Sequence, residues 1–466
     1  MQSELLQFII TVNSEDKTMI ETKTKQKRNG EIIYTNGEKE IIEYGITSIT
    51  ENTFYKKRDF VFGQKDIASI VLPNSVETIG AKAFYGYSKL ESINIPNSVT
   101  EIGDGAFAGC TSLKSLDVPN SVHKLCGFSY CTGLERVNIP NSVNEIDAYA
   151  FDGCTALKSI VIPRSVKKIN GNPFSGISPE ICLSPENTCF KVVDGSLYTA
   201  DGETLVAYIP RAGETHFSVP EGVRIIGKKA FSRCEGIESV SVPESVTEIE
   251  DLAFCECKNL KSINLPQSLT VLRLMLFSGC ESLDGVTVPK SVTEVESSVF
   301  DKCTKLESVS IEGNIKTVSH MMFYGCKALK SIDIPESVTK IDFFAFSGCT
   351  ALENIKIPTG VKEIKEGAFR DCTSLAGIVI PQGVTEIERD TFYGCKALNM
   401  ITLPRSITKI GDSALGGAGV EKVYFEGSAK EIEKIEIGKW NFSTWLSKKV
   451  YVKSLIGYTQ YKKPLF

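Results

Sequence analysis

Apolar residues return along this chain with a period that is too long for a single helix or strand. One full copy of the pattern runs from Leu90 to Cys110, with a proline at Pro96 and apolar residues at Leu90, Ile93, Ile95, Val99, Ile102, Ala106 and Phe107. Another copy begins at Leu113 with Leu-Lys-Ser-Leu-Asp-Val-Pro-Asn and continues Ser-Val-His-Lys-Leu. The unit is 23 residues long, which is typical of proteins built from stacked repeats.

The repeat keeps its register over most of the chain. Its aromatic position defines about fifteen coils, at Phe54, Phe84, Phe107, Phe128, Phe151, Phe174, Phe231, Phe254, Phe277, Phe300, Phe323, Phe346, Phe369, Phe392 and, degenerate, Leu415. The spacing is 23 residues except for 30 before Phe84, 21 before Phe128 and 57 before Phe231. We expect a local change in curvature at the short coil, where Gly127 precedes Phe128, and an insertion in the longest interval.

Each coil predicts a flattened loop that is mainly β. The segment Leu-x-x-Ile-x-Ile-Pro reads as a short strand with one apolar face, and the proline ends it because it cannot donate to a ladder. A second short extended segment follows, and Ala-Phe-x-x-Cys then makes a tight turn or a single 3₁₀ turn. Strands of successive coils would stack in parallel, so fifteen coils give an arc roughly 70 Å long.

Five segments follow from this register. Residues 1–44 form an N-terminal cap with a hairpin, residues 45–183 a first arc, residues 184–216 a hairpin insertion, residues 217–425 a second arc and residues 426–466 a C-terminal cap. Alternating strands surround Asn36-Gly37 and Asp201-Gly202, a strong hairpin signal. Because both hairpins space their tyrosines ten apart, we interpret them as one recurring accessory unit.

The last coil is degenerate and needs protection at its open end. Leu415 replaces the aromatic residue, Ala418 the cysteine and Gly427 the proline, and residues 428–434 read as helical. We expect Trp440, Trp445 and the run 450–452 to fold over this coil, because an open solenoid end exposes apolar core and unpaired strand edges.

The repeat resembles the BspA-like class of leucine-rich repeats, the 23-residue type known from treponemes. The resemblance covers about Gly45 to Phe425 and is specific, as in Leu329-Lys-Ser-Ile-Asp-Ile-Pro335-Glu-Ser-Val-Thr-Lys-Ile341 followed by Ala345-Phe346-Ser-Gly-Cys349. It implies a right-handed arc or horseshoe, no catalytic residues, and a protein of the surface of bacteria or protozoa that binds host or neighbouring-cell proteins.

Composition narrows the functional classes. Hydrophobic residues make up 42% and charged residues 23% of the chain, with a formal net charge of −5, so no nucleic-acid partner is implied. No apolar run approaches the roughly 18 residues of a membrane span. No signal peptide is recognisable, since the run Leu5–Ile10 is short and follows Glu4. Localisation therefore stays open between cell surface or secreted, and cytoplasmic, and we expect a monomer with protein ligands.

Most of the fifteen cysteines belong to the repeat. Eleven lie three residues after the aromatic position and should form a buried column of reduced thiols, namely Cys110, Cys131, Cys154, Cys234, Cys257, Cys280, Cys303, Cys326, Cys349, Cys372 and Cys395. Neighbouring coils hold them about 4.8 Å apart along a line, which suits neither a disulfide nor a zinc site. Of the other four, Cys126, Cys182, Cys189 and Cys255, the pair Cys182 and Cys189 is either a disulfide or two free thiols.

Catalytic chemistry has little support in the sequence. His123, His216 and His320 occupy non-equivalent positions, and Gly416-Gly-Ala-Gly419 lacks the lysine and hydroxyl residue of a phosphate loop. Carboxylate pairs such as Glu248 and Glu250 recur by register on a solvated edge. We expect no enzyme, cofactor or metal; an enzyme site within residues 184–216 is the remaining alternative.

The candidate binding surface consists of residues that point outward between the apolar strand positions. They are small and mostly uncharged: Asn94, Asp117, Asn138, Val161, Ser241, Asn264, Thr287, Ser310, Asp333, Lys356, Val379 and Thr402. A parallel row of Ser92, Ser115, Ser159, Ser239, Ser262, Ser308 and Ser331 could form a hydroxyl ladder. Small polar residues could simply let a curved sheet pack. Otherwise the surface binds proteins on its concave side, with the irregular stretch 352–402 as the most specific patch; an intracellular scaffold is the alternative function.

Overall fold

The structure is a computed structural model, and it describes residues 28–51, 53, 66–441, 449–454 and 457–460. Phe54, Trp445 and the apolar run at Leu5 lie outside the described residues. In chain order the strands and the one helix are β1 (Gly30–Tyr34), β2 (Lys39–Ile42), β3 (Ser48–Ile49), β4 (Ile67–Val71), β5 (Thr78–Ile79), β6 (Ser92–Asn94), β7 (Glu101–Ile102), β8 (Ser115–Asp117), β9 (Lys124–Leu125), β10 (Arg136–Asn138), β11 (Glu145–Asp147), β12 (Ser159–Ile162), β13 (Lys168–Asn170), β14 (Glu180–Leu183), β15 (Phe190–Val193), β16 (Ser196–Thr199), β17 (Thr204–Ala207), β18 (His216–Ser218), β19 (Ile225–Ile226), β20 (Ser239–Ser241), β21 (Glu248–Ile249), β22 (Ser262–Ile263), β23 (Val271–Leu272), β24 (Gly285–Val288), β25 (Glu294–Val295), β26 (Ser308–Ile311), β27 (Thr317–Val318), β28 (Lys340–Ile341), β29 (Glu363–Ile364), β30 (Gly377–Val379), β31 (Glu386–Ile387), β32 (Met400–Leu403), β33 (Lys409–Ile410), β34 (Lys422–Phe425), α1 (Ala429–Ile432), β35 (Glu436–Ile437), β36 (Lys449–Ser454) and β37 (Gly457–Gln460).

Two ladders of short parallel strands run along the solenoid, as the repeat predicts. Ladder A collects the first strand of each coil, which a proline usually follows, from β4 to β36, and ladder B collects the second strand, mostly of two or three residues, from β3 to β35. Pairing keeps the repeat register, so Ser239 lies opposite Ser262, its equivalent in the following coil. Along β12 exposure alternates, with Ile160 and Ile162 buried and Ser159 and Val161 exposed. The mainly β solenoid expected from the sequence is therefore confirmed.

Two forms were predicted for the aromatic segment of each coil, a tight turn and a single 3₁₀ turn. The structure shows the tight turn. At the coil of Phe84, the residues two before and two after it, Lys82 and Gly86, have φ of 56° and 75°. Left-handed residues so close together interrupt a 3₁₀ helix. The turn also bonds to the next coil, with Phe84 N donating to Ala106 O at 2.7 Å.

Aromatic rings form a stacked column inside the coils. From Phe254 to Phe392 successive ring centroids are 5.3 to 5.7 Å apart with interplanar angles of 17° or less. The column is interrupted between Phe174 and Phe231, where the core also divides into two clusters of buried side chains.

The insertion between these clusters is more than the predicted accessory hairpin. β15, β16 and β17 form an antiparallel sheet, and β17 then continues ladder B by pairing in parallel with β19. Tyr208 takes the aromatic position, with its ring stacked 4.8 Å from Phe231 and its N–H bonded to Ala230 O at 2.9 Å. Leu197 and Val206 pack into the first core, whereas Leu205 and Tyr208 pack into the second.

The two predicted hairpins are therefore not one recurring unit. β1 and β2 close the start of ladder A through an antiparallel pairing of β1 with β4. β16 and β17 instead extend ladder B. Both keep a tyrosine hydroxyl that donates to a nearby glutamate, Tyr34 to Glu40 at 2.9 Å and Tyr208 to Glu214 at 2.8 Å.

Strands seal the C-terminal end of the solenoid. The prediction that Trp440 folds over the last coil is wrong. Trp440 is 78% exposed, while Val450 and Val452 of β36 are buried against the last strands of ladder A. β36 covers the end because its alternating apolar residues continue the inward face of β34. The predicted helical segment contains α1, which begins with a capping box formed by Ser428 and Glu431.

Both ladders are interrupted at the short coil, as they also are at a coil of regular length, where β21 is not paired with β23, nor β22 with β24, among the described strands. β6 is not paired with β8, nor β7 with β9, among the described strands. Gly127 there has φ +94°, and a Cβ on it would lie 2.8 Å from Gly103 O. The Cys126 thiol donates to Ile102 O at 3.0 Å in place of a strand N–H. The change in curvature expected at this coil stays a prediction.

Candidate functional site

The residues predicted to form a binding row lie along ladder A and point outward; we call this surface the strand face. Their pairing keeps the repeat register, with Asp117 opposite Asn138, Thr287 opposite Ser310, and Asp333 bridged to Lys356. The side chains of the row are exposed, apart from Thr402, which is half-buried. Ladder A therefore brings the predicted row together as one surface of mostly short side chains.

The neighbouring serine row forms hydroxyl contacts at two places rather than along its whole length. Ser69 Oγ lies 2.9 Å from Ser92 Oγ at the start of ladder A. His216 Nδ1 lies 2.8 Å from Ser239 Oγ, and its Nε2 lies 3.2 Å from Ser218 Oγ. His216 is thus held on the strand face by two hydroxyl groups.

A groove crosses the strand face where β10 and β12 are not paired with each other. It encloses about 560 Å³ and is lined by Asp117, Arg136, Asn138, Ser159 and Val161, among others. The Val161 side chain is 57% exposed. Arg136 is also exposed, and its guanidinium forms no ion pair with the described residues. The groove is therefore lined by an exposed guanidinium group, that of Arg136, and by an exposed apolar side chain, that of Val161.

The outward row continues past Thr402 into an aromatic group that the sequence analysis did not include. Tyr424 follows Thr402 in the ladder, and Tyr451 follows Tyr424. The Tyr424 and Tyr451 rings stack at 5.0 Å, and Tyr458 meets Tyr424 edge-on at 5.2 Å. The intervals between these ladder positions depart from the repeat length, so the register does not mark them. The strand alternation of Val423-Tyr-Phe425 does indicate an outward Tyr424.

The irregular stretch 352–402 presents two apolar side chains on the strand face. Val379 is 61% exposed, and Met400 is exposed on the adjacent row. Lys356 extends into solvent, where its Nζ lies 2.9 Å from a Glu336 carboxylate oxygen. Because both groups of this pair are largely exposed, its contribution to stability is small.

Thiols of the cysteine column make a contact that the sequence does not reveal. From Cys257 to Cys395, each donates to the carbonyl oxygen of the aromatic residue in the preceding coil, as Cys303 does to Phe277 O at 3.2 Å. All fifteen cysteines are free, including the half-buried Cys182 and Cys189. Burial raises the pKa of Cys234 to about 12, so column thiols are poor nucleophiles.

A buried ion cluster joins the two sides of the insertion. The Asp152 carboxylate lies 2.8 Å from Lys229 Nζ and 3.0 Å from Arg233 Nη1. The same Arg233 nitrogen donates to the Tyr130 hydroxyl at 3.0 Å, and Lys229 Nζ lies 3.8 Å from the centre of the Tyr149 ring. Burial lowers the pKa of Lys229, while the Asp152 charge opposes that shift. The charged groups of the cluster are partnered within it, which is typical of a structural lock.

The described part of the chain shows no grouping of side chains suited to metal binding or to histidine catalysis. No group of three or more His, Cys, Asp or Glu side chains there is arranged to hold a metal ion. His123 Nδ1 lies 3.0 Å from Ser142 O, far along the chain from His216 and His320. The described residues also contain no helix long and apolar enough to cross a membrane.

Comparison with solved structures finds leucine-rich repeat proteins. A leucine-rich cell surface protein from Faecalibacterium prausnitzii is 27% identical, with 72% of this chain and 95% of that chain covered and a TM-score of 0.46. A leucine-rich repeat protein from Bacteroides ovatus is 27% identical, with 91% and 98% covered and a TM-score of 0.47. One from Eubacterium ventriosum is 20% identical, with 84% and 93% covered and a TM-score of 0.50, which supports the fold. The comparison with curated proteins found no match.

The family profile of the BspA type leucine rich repeat region matches most of the chain. It is found in six copies, over residues 47–180, 213–330 and 317–436. The gap between the first two ranges contains β15, β16 and β17, the strands of the insertion. The periodic Phe and Cys positions, the paired ladders and this match lead to one assignment: the chain belongs to the BspA-type leucine-rich repeat family.

Proposed function

We propose that this chain is a non-enzymatic protein-binding protein and that the strand face is its binding surface. The observation that carries the proposal is the long outward row of exposed, short and mostly uncharged side chains on ladder A. A broad and shallow surface of this kind suits a protein partner, because many weak contacts can surround a few anchors. A small substrate would need a deeper, more enclosed pocket.

We infer that the strand face is the concave side of the arc expected from the sequence, which would hold a partner within the curve.

Two places on the strand face supply candidate anchors. Arg136 and Val161 border the groove in the first arc, and Tyr424 and Tyr451 stack at the end of the second. Arginine and tyrosine are enriched among residues that dominate binding energy at protein interfaces. We infer that a partner contacts one of these anchors and covers the small side chains around it.

The family resemblance supports display at the cell surface or secretion, with adhesion to a host or neighbouring-cell protein as the role. The alternative is an intracellular scaffold, which is favoured by the free, half-buried thiols of Cys182 and Cys189, since reduced cysteines persist in the cytosol. Proteolysis of intact cells separates the two. Cleavage of the chain by external protease supports display, whereas full protection rules display out.

Affinity capture with the intact chain tests the surface. Asp333→Lys combined with Lys356→Glu reverses two exposed charges on the strand face and preserves net charge. Arg136→Ala combined with Val161→Ser removes the groove anchor. The matched control is Glu281→Lys combined with Lys327→Glu, because both residues are exposed and follow column cysteines on the turn side.

We expect at least one strand-face variant to lose captured partners by about tenfold or more, as for a residue in an interface hot spot. The control should retain them. Loss of partners in the control alone would place the binding surface on the turn side. Unchanged capture by both strand-face variants, with unchanged melting temperatures, would contradict the proposal.

A further inference from the structure

Ladder B has a gap at the insertion. β13 pairs with β11 on one side, but the next strand of the ladder, β17, pairs with β16 and β19 instead. The sheet of β15, β16 and β17 therefore does not pair with the edge of β13. A cleft of about 390 Å³ lies between them.

The edge of β13 that faces this cleft is open. In several coils the buried residue of the ladder B strand accepts a bond from the following coil, as Ile79 O does from Gly103 N at 2.7 Å and Ile226 O from Glu250 N at 2.9 Å. Ile249, Val295 and Ile364 show no such bond among the described residues, so what distinguishes Ile169 is the cleft beside it. Ile169 holds the same position in β13, opposite Ile146 of β11. No such bond to Ile169 is formed by the described residues. Its N–H and C=O point away from β11, because groups of one residue in a parallel strand face the same side.

The inner walls of the cleft are largely apolar. Phe190 and Val206 line it with buried side chains, and Thr199 and Thr204 add half-buried ones. Alternating apolar and hydroxyl groups beside an open strand edge are the elements of a site for an added strand, in which backbone bonds give affinity and side-chain pockets give specificity.

The rim of the cleft is rich in lysine. Lys167, Lys168 and Lys228 line it together with one carboxylate, that of Glu250. Glu250 accepts a bond from the Lys228 N–H at 2.6 Å, and Lys228 Nζ lies 3.6 Å from Asp251. Lys167 and Lys168 are exposed, and neither forms an ion pair with the described residues. Two ammonium groups that lack a carboxylate partner within the described chain thus flank the free edge of β13.

We propose that this cleft binds an extended, acidic peptide segment of a partner protein, which adds to β13 as the missing strand. The peptide backbone bonds to Ile169. Alternate side chains of the peptide pack on Phe190 and Val206, while its carboxylates approach Lys167 and Lys168. This site is separate from the strand face and does not depend on the proposed function of that surface.

Fluorescence anisotropy with a labelled hexapeptide, Ser-Val-Glu-Val-Glu-Ser, tests the proposal on the full chain. Ser-Val-Lys-Val-Lys-Ser reverses the charge, and Ser-Val-Glu-Pro-Glu-Ser removes one backbone N–H from the centre. The variant is Lys167→Glu with Lys168→Glu. The matched control is Lys316→Glu with Lys362→Glu, two exposed lysines at the position of Lys167 in coils that do not line the cleft.

We expect the glutamate peptide to bind and to protect the Ile169 amide from hydrogen exchange. The Lys167→Glu, Lys168→Glu variant should weaken binding about tenfold or more, as removal of charge partners does at other interfaces, while the control and its melting temperature stay unchanged. No binding of the glutamate peptide at about 1 mM, a weak affinity, overturns the proposal. Equal binding of the lysine peptide overturns the charge argument, and equal binding of the proline peptide with unchanged exchange at Ile169 overturns strand addition.

Discussion

The ion cluster beside the insertion gives the sharpest test of what holds the two arcs together. Asp152 belongs to the coil of Phe151, whereas Lys229 and Arg233 belong to the coil of Phe231. The side chains of Asp152 and Lys229 are only 6% and 4% exposed. In Asp152→Ala the Lys229 ammonium stays buried without its counter-charge. We expect the free energy of unfolding to fall by about 3–5 kcal/mol, the usual cost of breaking a buried pair by removing one partner.

A double-mutant cycle separates this charge effect from simple loss of packing. Lys229→Met removes the buried ammonium, so adding Asp152→Ala to it should cost much less than Asp152→Ala alone, by about 2 kcal/mol or more. Urea unfolding followed by circular dichroism measures the four stabilities. Hydrogen exchange of residues 172–176 and 228–233 locates the change. Equal costs of Asp152→Ala in both backgrounds would refute the role assigned to the pair.

The pH dependence of the variant supplies a second check. Burial holds the pKa of Lys229 below 10.5 in the folded protein, so the unfolded chain binds more protons between the two values. Stability from this group therefore rises with pH within that window. In Asp152→Ala the carboxylate that opposes this lowering is absent, so the pKa of folded Lys229 falls further. The pH window therefore extends to lower pH. The deficit of the variant should shrink as the pH rises from about 7 to about 9, and a constant deficit would contradict this explanation.

Three changes within the coils test the packing of the core. Phe300→Ala should lower the free energy of unfolding by about 3–5 kcal/mol, measured by urea unfolding. Gly127→Ala should cost about 1–3 kcal/mol, because its new Cβ meets a carbonyl oxygen at 2.8 Å, and more than Gly222→Ala, where φ is also positive but nothing lies within 4 Å; equal losses of melting temperature would contradict the steric part. Ellman's reagent should modify Cys182 and Cys189 first in the native protein, since the column thiols are buried, and rapid reaction of more than these two would refute that order.

Regular coils could be predicted closely because each position has one dominant environment. A phenylalanine and the cysteine that follows it, returning once in every repeat, have to lie inside a stack of coils, and the ladder register then fixes which residues face outward. Cys303 and Phe300 are buried as that argument requires. The thiol contact to the preceding coil needed coordinates, since it depends on the distance across a coil boundary.

Irregular places were harder because there the repeat gives no alignment. Tyr208 does not stand a whole number of repeats after Phe174 and directly follows a strand, so nothing in the register marks it as a member of the aromatic column. Trp440 was expected inside on hydrophobicity alone, but the strand β36 covers the apolar end in its place. Asp152 left no signal in the register, because the position after the aromatic residue varies among coils, with Ser175, Asp301 and Arg370 as examples.

The insertion adds a layer to one side of the stack of coils and none to the other. On the turn side the stack passes it without a break, since Asn172 N bonds to Lys228 O at 2.8 Å and Ser175 Oγ bonds to Ser232 O at 3.1 Å. Along ladder B an extra layer enters, the sheet of β15, β16 and β17, with Val206 packed on one core and Leu205 on the other. Each arc therefore meets its own lid at this layer, so repeats could be gained or lost in one arc while the apolar end of the other stays covered.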